Sequence, residues 1–136
     1  QYMRRVSGPL LDRIDMHIEV PSVEYEAMRR KEQPESSAEV RKRVNAAREV
    51  QKRRFAGTAV TCNAYMTPAM IGQYCQLDAA GEKVMQGAFD RLGLTGRSHD
   101  RILRMARTIA DLDGAEHIEV QHLAEAIQYR SSNLLK

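Results

Sequence analysis

Arginine is the side chain whose type and spacing could do chemistry in this sequence. A guanidinium stays charged at physiological pH and presents its N–H donors in a planar fork that matches phosphate and carboxylate oxygens. Arg13 stands in Ser7-Gly8-Pro9-Leu10-Leu11-Asp12-Arg13-Ile14-Asp15, between a helical turn and an extended run. A fixed backbone there could project it from a domain edge towards a phosphate held elsewhere, which is the requirement for an arginine finger; the alternative is a local ion pair with Asp12 or Asp15. Arg97, Arg101 and Arg104 recur at i, i+4 and i+7, which on a helix places three guanidinium groups in one stripe beside the apolar face. Such a stripe repels itself unless an anion or acidic surface lies opposite, and a solvated face with Asp100 and Asp111 as partners is the alternative. Arg41, Arg48 and Lys52 fall at i, i+7 and i+11 and could follow a nucleic-acid backbone. No aromatic interleaving or base-reading motif accompanies them, so a solvated or interdomain face competes with that reading.

The same residues lack a catalytic setting of their own. The phosphate-cradling pattern G-x-x-x-x-G-K-[ST] is absent, for none of the five lysines follows a glycine. No nucleophile-elbow pattern and no strand ending in paired acids appears, so the chain taken alone has no evident hydrolytic machinery. Cys62 and Cys75 form no C-x-x-C pair, and His17, His99, His117 and His122 never fall at the i, i+4 spacing of two helical ligands. No metal site is expected, and the histidines read as surface or capping residues. Unpaired thiols, short apolar runs and no evident leader point to a soluble cytoplasmic protein without a membrane partner.

The elements that must position these arginines read as helices. With 43% apolar residues, 29% charged residues and no Trp in 136 positions, the composition fits one packed core of Ala, Leu, Met and Ile. Gln1 to Ser7 shows no cap and no helical period; Gly8-Pro9 begins a helical turn, and Met16 to Val20 alternates as a strand. A lone strand cannot satisfy its backbone groups, so its partners are expected in a sheet outside this sequence, with Gln1 to Val20 poorly ordered without it. Ser22 to about Lys31 reads as a short helix and Gln33 to Ser36 as a polar break. Ser36 with Glu39 forms a capping-box pattern ahead of Val40, Val44, Ala47 and Val50, predicting the strongest helix, up to about Gly57.

That helix is also basic. Seven basic residues between Ser36 and Phe55 face only Glu39 and Glu49, in a chain whose net charge is +3. Thr67 with Pro68 starts the next helix through Met70, Ile71, Tyr74 and Cys75. Asp78 caps another that carries Ala80, Val84, Ala88 and Leu92 and stops at Gly93. Arg97 to Leu112 follows with Ile102, Met105, Ala106, Ile109 and Leu112 on one face, and a last helix runs from about Gln121 to Arg130. The predicted fold is all-α: a multi-helix bundle preceded by a short orphaned strand.

In order along the chain, these segments resemble the closing part of magnesium-chelatase-like AAA+ ATPases, in particular the competence-protein branch. The resemblance rests on Ser7 to Asp15, His17-Ile18-Glu19-Val20-Pro21, Glu35-Ser36-Ser37, Ala47 to Gln51, Asn63-Ala64 and Cys75-x-Leu77-Asp78. Asp100-Arg101-Ile102-Leu103, Ala106 to Leu112 and His122 to Arg130 extend it. It implies three parts: residues 1–21 as the end of an AAA+ core, 22–35 as a linker with a short helix, and 36–136 as the helical lid. By the same resemblance, Arg13 is the finger that reaches a neighbouring subunit's ATP and Arg97 the sensor-2 arginine for the subunit's own ATP. Arg101 and Arg104 would be further phosphate or core-docking contacts. ATP and Mg²⁺ would be held mainly by an upstream core, in a ring of subunits, usually six, acting as a helicase-like motor on DNA. A metal-inserting chelatase subunit and a stand-alone helical interaction module are the competing readings.

Overall fold

A computed structural model of the chain describes residues 7–29 and 33–130. Among these residues there are seven α-helices and no strand: α1 Gly8–Arg13, α2 Tyr25–Arg29, α3 Ser37–Arg54, α4 Pro68–Tyr74, α5 Ala79–Leu92, α6 Gly96–Leu112 and α7 Val120–Gln128. A 3₁₀ turn, Asn63–Tyr65, lies between α3 and α4.

The helix starts follow local side-chain chemistry. An N-cap oxygen satisfies a backbone N–H that has no partner within the helix, and five residues do this here. Ser7 accepts from Leu10, Ser36 from Glu39, Thr67 from Met70, Asp78 from Gly81 and Thr95 from Ser98. Ser7 therefore caps α1, contrary to the expectation of an uncapped opening. At α7, Glu119 and His122 form a reciprocal box in which the Glu119 N–H donates to His122 Nδ1 at 3.0 Å. Gly93 ends α5 in the left-handed region at φ 61°, where the missing Cβ removes the usual steric cost.

α6 lies at the centre, packed on α7, α3, α4 and the 3₁₀ turn, while α5 packs on α7. Its Ile102, Leu103, Ala106 and Ala110 share one core cluster with Leu123, Ala126 and Ile127 of α7, Met85 and Ala88 of α5, Ile71, and the loop residues Phe55, Met66 and Ile118. The buried face is rotated from the expected one: Leu103 and Ala110 are inside, Met105 and Ile109 are half-buried, and Leu112 is exposed. On α5 the core residues are Gly81, Met85 and Ala88, while Ala80 is exposed. A central helix is covered on several sides, so burial tracks its neighbours more closely than a single periodic stripe does. The long helix α3 departs further from expectation. Only Ala47 and Gln51 are buried, with Val40 and Val44 exposed, so this helix meets the bundle through its second half.

The expected strand at Met16–Val20 is also corrected. The segment is irregular and makes no sheet pairing among the described residues; instead the His17 N–H donates to the Tyr129 carbonyl at 2.7 Å. Residues 11–17 pack onto the bundle, with Leu11 and His17 buried. Expectations for residues 1–6 and for the end of the predicted second helix at Lys31 lie outside the described residues. None of the described helices is long and apolar enough to cross a membrane.

Candidate functional site

The segment carrying Arg13 meets the bundle at the start of α6 and just beyond the end of α7. The Ser98 hydroxyl donates to Asp12 Oδ1 at 3.0 Å, and Arg130 donates to the same carboxylate oxygen at 3.4 Å. Arg130 also reaches the Asp12 and Ile14 carbonyls, on either side of Arg13. Arg101 pairs with Asp15, and the His17 Nε2–H donates to the Leu11 carbonyl at 3.2 Å. Burial disfavours the charged form of Arg130 and pulls its pKa below the ordinary arginine value, against the supporting charge of Asp12.

These contacts divide the predicted arginines. Both acids offered as local partners for Arg13 are engaged elsewhere, Asp12 by Ser98 and Arg130 and Asp15 by Arg101. Arg13 is exposed, and its side chain makes no hydrogen bond or ion pair with the described residues. Arg97 is likewise exposed and unpaired among the described residues, in the first turn of α6, a turn without an acidic residue. Arg101 and Arg104 are half-buried and occupied, Arg101 with Asp15 and Arg104 through a 2.9 Å bond to the Met66 carbonyl. Among the described residues, the three-arginine stripe is thus one unpaired guanidinium followed by two that tie the fold together.

Arg41, Arg48 and Lys52 are exposed along α3 and unpaired among the described residues. Arg48 and Lys52 edge a groove of about 690 Å³ between α3, residues 61–64 and α6, lined in part by Val44, Ala47 and Leu112. Their neighbour Arg54 turns inward. It donates to both oxygens of the buried Asp111 at 2.8 and 2.6 Å and to Asn63 Oδ1 at 2.9 Å. Arg107 and Asn63 complete the shell around Asp111 at 3.1 and 2.9 Å. The Asp111 hydrogen bond holds the Arg54 pKa above its ordinary value despite burial. Sequence reasoning placed Asp111 beside the arginine stripe and gave this cluster no role; its members stand up to 57 residues apart, and no local spacing marks them.

No group of three or more His, Cys, Asp or Glu able to hold a metal ion occurs among the described residues. The chain belongs to the magnesium chelatase family: residues 34–130 match the family described as magnesium chelatase, subunit ChlI C-terminal, and residues 1–28 match magnesium chelatase, subunit ChlI. It is 40% identical over 132 residues to competence protein ComM of Haemophilus influenzae, covering 96% of this chain and 25% of that protein. It is also 40% identical over 136 residues to YifB of Escherichia coli, covering 99% of this chain and 26% of the relative. The chain therefore spans about a quarter of the length of these relatives.

Proposed function

We propose that the chain is the lid and adjoining core end of a ring-forming AAA+ ATPase, contributing two arginines to nucleotide sites completed by other segments. Residues 1–21 would close the core, 22–35 link it to the lid, and 36–136 form the lid. Arg13 is the finger that enters the neighbouring subunit's site, and Arg97 is the sensor-2 donor to the subunit's own ATP. The observation that carries this reading is that Arg13 and Arg97 alone, of the four arginines proposed for phosphate, are exposed without a partner among the described residues. Arg97 also sits at a helix start whose free N–H groups add partial positive charge, so a negative ligand there would relieve a repulsion. Arg101 and Arg104 serve as structural supports of that helix.

In this mechanism the upstream core holds ATP and Mg²⁺, and Mg²⁺ would neutralise charge on the phosphates. Arg97 supplies a charge-assisted hydrogen bond of about 1.5–3 kcal/mol, enough to bias the lid towards closure. Arg13 stabilises charge developing on the transferred phosphoryl group, an effect worth about 10³ to 10⁵ in rate for such residues. The test is Arg13→Ala in the longer protein. ATP turnover should fall by about 10³ or more while nucleotide binding persists; unchanged turnover would reject the finger.

The ring acts on DNA as a helicase-like motor, a reading supported by the similarity to a protein named for competence and by the unpaired Arg41, Arg48 and Lys52. Replacing these three with Ala should weaken DNA binding and reduce its salt slope by about 0.9 for each phosphate no longer neutralised. An unchanged affinity and slope would remove α3 from the DNA path. The description of the matching family favours one competing function, a chelatase subunit driving metal insertion into a porphyrin. ATP turnover stimulated by porphyrin and its chelatase partners, and not by DNA, would select it.

A further inference from the structure

Arg13 is exposed, but the backbone that carries it is fastened from both sides. The planar guanidinium of Arg130 donates to the carbonyls of Asp12 and Ile14, the residues before and after Arg13. An ammonium group could not span two carbonyls in this way with a rigid fork. Arg130 also meets Asp12 Oδ1, the oxygen that accepts the Ser98 hydroxyl proton at 3.0 Å. Ser98 is 3% exposed and follows Arg97 directly in the first turn of α6. One turn further along, Arg101 pairs with Asp15, and the His17 N–H to Tyr129 carbonyl bond closes the segment onto the end of α7. A single carboxylate oxygen therefore connects the residue before Arg13 to the residue after Arg97, across 86 positions of sequence.

We propose that Ser98 and Arg130 are positioning residues for Arg13, clamping the finger to the start of α6 so that Arg13 and Arg97 move as one unit. The inference rests on the assignment of Arg13 and Arg97 to two nucleotide sites, and extends it by specifying how those sites communicate. A phosphate that draws on Arg97 shifts Ser98, Ser98 shifts Asp12, and the finger follows into or out of the neighbouring site. Occupancy of one site is thereby read in the next, without a separate switch segment. The contacts that do this end on two backbone carbonyls, one carboxylate oxygen and one buried hydroxyl.

The experiment uses the longer protein assembled with its core and compares Ser98→Ala, Ser98→Thr and Arg130→Met with Arg13→Ala. Measured for each are kcat and KM for ATP, affinity for a fluorescent ATP analogue, and the Hill coefficient of hydrolysis. Misplacing a catalytic group by about 1 Å costs up to about 10²-fold in rate. Ser98→Ala and Arg130→Met should therefore lower kcat by about ten- to a hundredfold and bring the Hill coefficient towards 1, with analogue affinity within about twofold. Ser98→Thr, which keeps the hydroxyl, should restore both. Ser98→Ala keeps the test decisive should Arg130→Met fail to fold, because Thr95 still caps the Ser98 N–H. If Arg13→Ala abolishes turnover while Ser98→Ala leaves kcat and cooperativity unchanged, the clamp is wrong and the finger stands. If Arg13→Ala leaves turnover unchanged, both readings fall.

Discussion

Replacing Asp111 with Ala should unfold the bundle more readily than any single apolar truncation on its surface. The Asp111 side chain is 0% exposed and accepts from Arg54, Arg107 and Asn63, joining the end of α3, the 3₁₀ turn and α6 at one point. After the substitution Arg54 retains Asn63 Oδ1, and Arg107 retains the Ala115 and Glu116 carbonyls, but neither guanidinium has a counter-charge within the cluster. Removing one partner from a buried ion pair costs about 3–5 kcal/mol, because the other charge stays desolvated. Against a domain stability of about 5–15 kcal/mol, the loss corresponds to a fall in Tm of roughly 10–20 °C. Thermal unfolding followed by circular dichroism reads this directly. The Asp111→Ala/Arg54→Ala double variant should be less destabilised than the sum of the single changes, because the second removes a charge that the first orphans. A Tm within about 2 °C of the parent for Asp111→Ala would refute the claim that this cluster holds the helices together.

Three smaller predictions concern the buried thiol and the glycines of α5 and its end. Burial raises the Cys75 thiol from 9.0 to about 11, opposed by the charges of Arg107 and Arg54; Cys75 should resist alkylation at pH 8 in the native protein while half-buried Cys62 reacts, and equal rates would contradict the packing. The folded state then keeps the Cys75 proton where the unfolded thiol has lost it, so stability should decline by up to about 2–3 kcal/mol as pH rises from 9.0 towards 11. Gly93→Ala, at φ 61°, should cost about 1 kcal/mol, whereas Gly87→Ala, inside α5 with open space at its Cβ, should stabilise by about 0.5–1 kcal/mol. Chemical denaturation of the two variants should give opposite signs.

Helix starts were legible in the sequence because a cap acts over three residues. Ser36, Thr67-Pro68 and Asp78 each announced a helix that forms, and Gly93 marked where α5 ends. The alternation of Met16 to Val20 misled because period-two patterning marks an extended chain without requiring a ladder; the His17 N–H finds a carbonyl at the end of α7. The period of α3 was real, but whether Val40 and Val44 become core depends on a neighbouring element, and that helix has one along its second half alone. Arg54 to Asp111, Ser98 to Asp12 and Arg130 to Ile14 join residues 57, 86 and 116 positions apart, and no spacing rule reaches so far. Arg13 and Arg97 were visible as arginines in suggestive places. That they stay unpaired among the described residues, while Arg101 and Arg104 do not, required the fold.

If Arg13 serves a site in the next subunit, as proposed, mixed rings of two variants reveal it. A longer chain inactivated at its own ATP-binding site but retaining Arg13 would be combined with an Arg13→Ala chain whose ATP-binding site is intact, each being inactive alone. ATP turnover should reappear on mixing, because the first chain's Arg13 would complete the second chain's site. Mixed assemblies that form but hydrolyse no more ATP than the separate variants would contradict it.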